Sequence, residues 1–284
     1  MKILLAGATG VVGRRLIPLL VQAGHEVAGT TRRSERAGML RELGASPVVL
    51  DVLNTGDVRA AVAAIDPDAV IHQLTDLADE DFEANSHLRI AGTRNLVDAA
   101  KAAGVETMVA QSIAWLYVPG DAPAVETDPL DANLPPYEGI AALESAVSEM
   151  PHGVVLRYGA LYGPAPGTRR TGRSPSACAR AACASRRPGR RSCTPTTRPR
   201  RRSRRSTGPP EPSTSSTTSP ATTADWLPVY SAALGAPTPG NAGRHAAATG
   251  RAASNAKALS LGWKPQVASW RTGFAQMDSA VRAD

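Results

Sequence analysis

Ile3 to Ala6 form an unbroken apolar run, which predicts a strand buried on both faces. Leu16, Leu19, Leu20 and Ala23 then recur at helical spacing, predicting a helix over Arg14–Gly24 that Gly24 closes. The same alternation continues. Strands are predicted at Glu26–Thr30, Val48–Leu50, Ala69–His72, Thr107–Gln111 and Gly153–Arg157. Helices are predicted at Glu35–Leu43, Val58–Ile65, Phe82–Ala103 and Tyr137–Glu149. Six strands interleaved with helices imply an α/β fold with a doubly wound parallel sheet. Helical spacing resumes at Asp225–Leu234, Ser254–Leu261 and Trp270–Val281, the makings of a small C-terminal substrate subdomain.

One stretch breaks the pattern. Residues 169–220 hold 14 Arg, all three Cys and a single acid, Glu211, with neither helical nor strand period. The chain's net charge of +7 comes from this stretch; the remainder carries 18 basic and 24 acidic residues. The chain therefore divides into a dinucleotide-binding part (1–168), an Arg/Ser/Pro-rich segment (169–220) and a helical remainder (221–284). Three readings of the segment compete: an arm for anionic surfaces or nucleic acid, a disordered linker, and a shifted reading frame. No aromatic residues interleave with the arginines, which argues against stacking on nucleic acid. Moved by one base, the codons of Pro212–Pro220 permit Val-Tyr-Val-Ile-Asp-Asp-Glu-Pro, an apolar then acidic pattern. The 28 Arg against 4 Lys suit GC-rich coding DNA. The frameshift reading places entry near Thr168–Arg173 and return near Pro220–Thr222.

A chain of 284 residues makes one large domain or one and a half. It has no apolar run of about eighteen residues, and it opens on a strand rather than a charged leader. The expectation is a soluble cytoplasmic protein with no membrane or nucleic-acid partner and no metal.

The chemistry begins at the turn after the first strand. Gly7-x-x-Gly10-x-x-Gly13 sits between a strand and a helix, the context in which such spacing signifies dinucleotide binding. Gly7 suits the tight turn, Gly10 the approach of a pyrophosphate and Gly13 close helix packing. Thr9, Val11 and Val12 supply the rest of the loop, and the helix start offers free N–H groups to phosphate. After the second strand, Arg32 and Arg33 stand where an acid would bind a ribose 2′-hydroxyl. They suit a 2′-phosphate and hence NADP, with NAD still open, or are a solvated helix start. Asp51 with Val52 can receive the adenine amino group, or Asp51 can cap the following helix. Gln73 and Leu74 lie at the carboxyl end of a central strand, where open parallel sheets bind ligands. His72, just before them, reads as a packed or hydrogen-bonded ring rather than a catalyst.

Taken together, these residues resemble the extended short-chain dehydrogenase/reductase superfamily, of the NAD-dependent epimerase/dehydratase type. Gly92-Thr93-Arg94-Asn95-Leu96 and the following Ala99-Ala100 look like its long-helix pattern. Leu156-Arg157 and Tyr162-Gly163-Pro164 look like its segment beyond the sixth strand. Asn255 and Lys257 with Leu261-Gly262-Trp263-Lys264-Pro265 are similar to its C-terminal turn. The resemblance implies a Rossmann-type fold and hydride transfer on a small carbonyl or hydroxyl compound, sugar nucleotides included. It also implies a cofactor contact at Tyr158 and a possible homodimer. Its chemistry uses a tyrosine acid/base, a lysine four residues later and a serine after the fifth strand. Ser112 fits the serine. Tyr137 is the candidate tyrosine or a surface residue, and four positions later stands Ala141. The family's glutamate lies eight residues past the tyrosine, whereas Glu144 lies seven past Tyr137. Trp115 and Tyr117 can line a pocket or serve packing. The missing lysine keeps a second reading open: a non-catalytic dinucleotide-binding sensor on the same fold.

Overall fold

A computed structural model describes residues 1–75, 81–159, 161, 213–215, 226, 228–230, 232, 251–267 and 269–275. The Arg-rich segment lies outside the described residues except for Ser213–Ser215. The chain divides into two compact units. One comprises Met1–Ile113, Leu130–Arg157 and Arg202–Ser213; the other comprises Ala114–Pro129, Tyr158–Arg201 and Thr214–Asp284.

The strands are β1 (Lys2–Ala6), β2 (Glu26–Thr31), β3 (Ser46–Val49), β4 (Ala69–His72), β5 (Thr107–Ile113), β6 (His152–Tyr158) and the short β7 (Ser213–Ser215). They form one sheet in the order β3-β2-β1-β4-β5-β6-β7, and the pairings from β3 through β5 are all parallel. The chain winds outward from β1 to β3, then returns to β4 on β1's other side. This reversal opens a crevice at the carboxyl ends of β1 and β4. The doubly wound expectation holds. β7 is an addition, formed inside the segment whose composition gave no strand period.

β1 shows why its apolar run is continuous. Ile3 and Leu5 point into one layer with Leu16, Ile17 and Leu20 of α1 (Val11–Gln22) and Leu40 of α2 (Ala37–Glu42). Leu4 and Ala6 point into the other. There they meet Val58 and Val62 of α3 (Thr55–Ile65), then Leu96 and Val97 of α5 (Thr93–Ala102) and Leu143 and Val147 of α6 (Tyr137–Ser148). Successive side chains of a strand face opposite ways, so helices on both sides demand apolar residues at every position.

The helix expected over Phe82–Ala103 is not uniform. It runs as α4 (Phe82–His87), a π-helical turn (Leu88–Gly92) and α5. Asp81 caps α4 through the N–H groups of Glu83 and Ala84. In the π turn Arg89 is buried, and a Cβ on Gly92 would stand 3.0 Å from Val52. Apolar periodicity carries no sign of this change of pitch. Gly24, Gly44 and Gly104 close their helices at positive φ, as their positions predict.

In the second unit Ala124 bridges to Ala253: its N–H donates to Ala252 O and its carbonyl accepts from Ser254 N–H, both at 2.7 Å. Arg251 pairs with Asp128 at 2.9 Å. Trp226 and Tyr230 meet edge-on, and Phe274 lies tilted against Tyr230 and Trp270. Residues 226, 228–230 and 232 are helical, as are 270–275 and α7 (Ala256–Ser260), in line with the helical spacing there.

Candidate functional site

The crevice is built by the glycine turn. Gly7 has φ 86, a conformation that L residues rarely adopt, and a Cβ there would lie 2.6 Å from Gln73 O. The ends of β1 and β4 can therefore approach this closely only with glycine at this position. Gly7 N–H donates to Thr30 Oγ1 at 3.2 Å, tying the turn to β2. A Cβ on Gly13 would collide with Gly7 O and the Ala8 backbone, so this glycine lets α1 sit against β1. Gly10 is the N-cap of α1, and no side chain caps it. The first backbone bond of the helix runs from Arg14 N–H to Gly10 O, leaving the N–H groups of Val11, Val12 and Gly13, next to Thr9 in the chain, without an intrahelical acceptor. A 12-residue helix with an uncapped start and a glycine approach fits the diphosphate of a dinucleotide.

Arg32 and Arg33 follow β2 and are exposed. Thr31 Oγ1 accepts from Arg33 N–H at 3.1 Å and fixes the turn. Arg14, in the first turn of α1, has its pKa lowered by burial and then by the charges of Arg36 and Arg15. Asn54, not Asp51, caps α3, accepting from Gly56 and Asp57 N–H. That removes the capping alternative for Asp51, whose carboxylate is exposed and accepts from Leu53 N–H at 3.0 Å. Asn95 Nδ2 donates to Val52 O at 2.8 Å, and Asn95 Oδ1 accepts from Thr55 Oγ1 at 3.0 Å, clamping the Asp51–Val52 loop to α5.

His72 is fully buried. Leu74 N–H donates to its Nδ1 at 3.2 Å, so Nε2 carries the proton and donates to Thr93 Oγ1 at 2.9 Å. Burial, and then the charge of Arg89, push its pKa down to about 4. The ring is thus a neutral structural group, as its sequence position suggests.

Beneath α6 the arrangement differs. Ser112 is completely buried, and its hydroxyl donates to Glu144 Oε1 at 2.6 Å. Arg157 grips the same carboxylate twice, Nε to Oε1 at 2.9 Å and Nη2 to Oε2 at 2.6 Å. Ser112 shares the inward face of β5 with Met108 and Ala110, and Arg157 shares that of β6 with Gly153 and Val155. Two polar residues among apolar inward positions were the readable signal for this triad, and sequence reasoning missed it. Tyr137 is the first residue of α6 and half-buried; Ala141 lies one turn on. Tyr158 ends β6. The glycine loop, Thr30, Gln73 and Leu74 come together in one crevice, whereas Ser112 turns its proton inward to Glu144.

Residues 7–177 match the NAD(P)H-binding family. A Streptomyces 3-diazoavenalumate denitrifying reductase is 35% identical, covering 97% of this chain and 100% of that protein. A putative dihydroflavonol 4-reductase of Synechocystis is 34% identical over 40% of this chain and 34% of its own length. Among solved structures, WbmG of Bordetella bronchiseptica in complex with NAD superposes with a TM-score of 0.69 at 18% identity, over 100% of this chain and 94% of that one. The Thermus thermophilus UDP-glucose 4-epimerase complex with NAD gives 0.67 at 21% identity, over 99% of both chains. These structural likenesses concern the fold alone. No helix among the described residues is long and apolar enough to cross a membrane, and no three His, Cys, Asp or Glu side chains among them gather as metal ligands.

Proposed function

The chain belongs to the NAD(P)H-binding family, related to the short-chain dehydrogenase/reductase and epimerase/dehydratase superfamily, and from that premise we propose that it is an NAD(P)H-dependent reductase acting on an aromatic diazo compound. The observation that carries the reading is the end-to-end match to a diazo-compound reductase. It accords with an uncapped helix start over a glycine turn. Bound reduced nicotinamide supplies a hydride. The ring carbon that receives it forms a C–H bond while its C–N bond breaks, and both C–N electrons leave with dinitrogen. No side chain needs to supply a proton. That chemistry tolerates Ala141 in place of a lysine and a Ser112 hydroxyl already given to Glu144.

The glycine loop with Thr9, Val11 and Val12 holds the diphosphate in this reading. Asp51 and Val52 meet the adenine, and Gln73 and Leu74 line the path toward the nicotinamide. Arg32 and Arg33 receive a 2′-phosphate, which makes NADPH the expected cofactor. In the carbonyl alternative, Tyr137 would donate the proton and Ser112 would orient the oxygen; in the sensor alternative, the cofactor binds without turnover.

One experiment separates them. Purified protein is mixed with NADPH or NADH and a carboxylated benzenediazonium salt, and loss of reduced nicotinamide, arene and dinitrogen are followed against the enzyme-free rate. Enzyme-dependent arene and dinitrogen, with a lower KM for NADPH, support the proposal. Turnover only with carbonyl compounds selects the alternative enzyme. Cofactor binding without turnover of either substrate class selects the sensor, and absence of binding removes all three.

A further inference from the structure

His72 belongs to none of the roles above, yet both of its ring nitrogens are tied. It ends β4, opposite Ala6 of β1. The backbone that follows it, Gln73–Leu74, is what Gly7 abuts. Gln73 N–H donates to Ala6 O at 2.8 Å, holding that backbone to β1 from one side. From the other side Leu74 N–H is held by His72 Nδ1, and His72 Nε2–H is held by Thr93 at the start of α5. Thr93 is itself fully buried directly after the π turn, whose Arg89 is the charged group acting on the ring among the described residues. The imidazole thus spans α5 and the strand end, with one nitrogen for each.

We propose that His72 is a positioning residue for cofactor binding: its Nδ1 fixes the Leu74 N–H and so the Gln73–Leu74 wall of the crevice, while its Nε2–H anchors the ring to α5. This rests on the dinucleotide reading of the crevice. A ring that merely filled space would need neither hydrogen bond. A ring that sets the wall needs Nδ1 as an acceptor above all, because the atom it holds belongs to the wall.

The two nitrogens can be replaced one at a time. In His72→Asn, the amide oxygen can take the place of Nδ1 and still accept from Leu74 N–H two residues on. In His72→Gln, the longer side chain can take the place of Nε2 and reach Thr93, leaving Leu74 N–H without its acceptor. Thermal midpoints and the dissociation constants of NADPH and NADH are measured on full-length wild type and both variants. Both variants should lose thermal stability. His72→Gln should weaken cofactor binding by about tenfold, the scale of one buried donor left unmade. His72→Asn should stay within about threefold of wild type. Equal weakening in both variants, in step with their stability loss, would make the ring core filling and overturn the proposal. Wild-type affinity in His72→Gln overturns it as well. A wild type that binds neither cofactor sinks the crevice reading itself, a result distinct from the other two.

Discussion

The crevice between β1 and β4 and the layer beneath α6 are made by the same fold, but they spend their polar groups differently. In the crevice, the N–H groups at the start of α1 have neither a side-chain cap nor an intrahelical acceptor, and glycine stands at the cap. Beneath α6, Ser112 and Arg157 both give donors to the Glu144 carboxylate, which accepts on both oxygens. The first arrangement leaves donors open to a ligand; the second holds a helix against two strands. The Ser112 proton goes to Glu144, because the partner that comes within reach decides where a hydroxyl points.

The contrast can be broken first at the triad. Glu144→Ala leaves Arg157 and Ser112 without their shared carboxylate in a site where the Arg157 side chain is only 6% exposed. Removing one partner of a buried pair should cost about 3–5 kcal/mol, read as a shift in urea midpoint at constant slope. A loss below about 1 kcal/mol would mean that α6 is not held by this pairing.

At the crevice, Gly7→Ala combines a positive φ with a close approach to Gln73 O. The expected cost is about 3 kcal/mol, with NADPH binding weakened by roughly a hundredfold. Binding at wild-type strength would show that the β1–β4 approach does not govern the cofactor site.

His72 sharpens the comparison through pH. Its folded pKa of about 4 lies below the ordinary value of 6.5. The unfolded chain therefore takes up the proton first, and stability present above pH 6.5 is lost as pH falls toward 4. The full loss is on the order of 3 kcal/mol. Urea unfolding at several pH values should show this slope, and His72→Leu should flatten it.

The smallest effect belongs to the surface. Glu149 pairs with Arg94 at 2.5 Å and Lys101 at 2.9 Å, and its pKa is lowered to about 2 by the hydrogen bonds from Arg94 and Lys101. Its side chain is 39% exposed, so solvent screens the network, and Glu149→Ala should cost less than about 1 kcal/mol, diminishing with salt. A cost matching that of Glu144→Ala would erase the distinction between buried and exposed pairing.

Much of this architecture could be read in advance. Ile3–Ala6, the three glycines and the spacing of Leu16, Leu19 and Leu20 locate β1, its turn and α1, because strand and helix periods are local. Asp51 illustrates the limit. Capping and adenine contact were equally open until Asn54 took the cap, a choice settled by backbone geometry two to three residues on. The π turn at Leu88–Gly92 left no mark in the apolar spacing, and Val52, against which Gly92 lies, is 40 residues away in sequence. β7 was illegible for another reason: Ser213–Ser215 carry no apolar pattern, although the shifted frame would put Val-Tyr-Val-Ile across those positions. Sequencing the coding DNA across residues 165–225 tests that frame directly: one inserted or deleted base restores the apolar pattern, and an intact frame rules it out.

By itself, the sequence determined the alternation of strands and helices, the doubly wound sheet and the glycine turn at its centre, since each follows from periodicity and from what a residue without a Cβ permits. Only the tertiary structure decided which polar side chains meet: Ser112 with Glu144 and Arg157, His72 with Leu74 and Thr93, Asn95 with Val52. Hydrogen bonds act over about 3 Å. Which groups come within that reach is fixed when distant elements pack, and no local pattern in the chain records it.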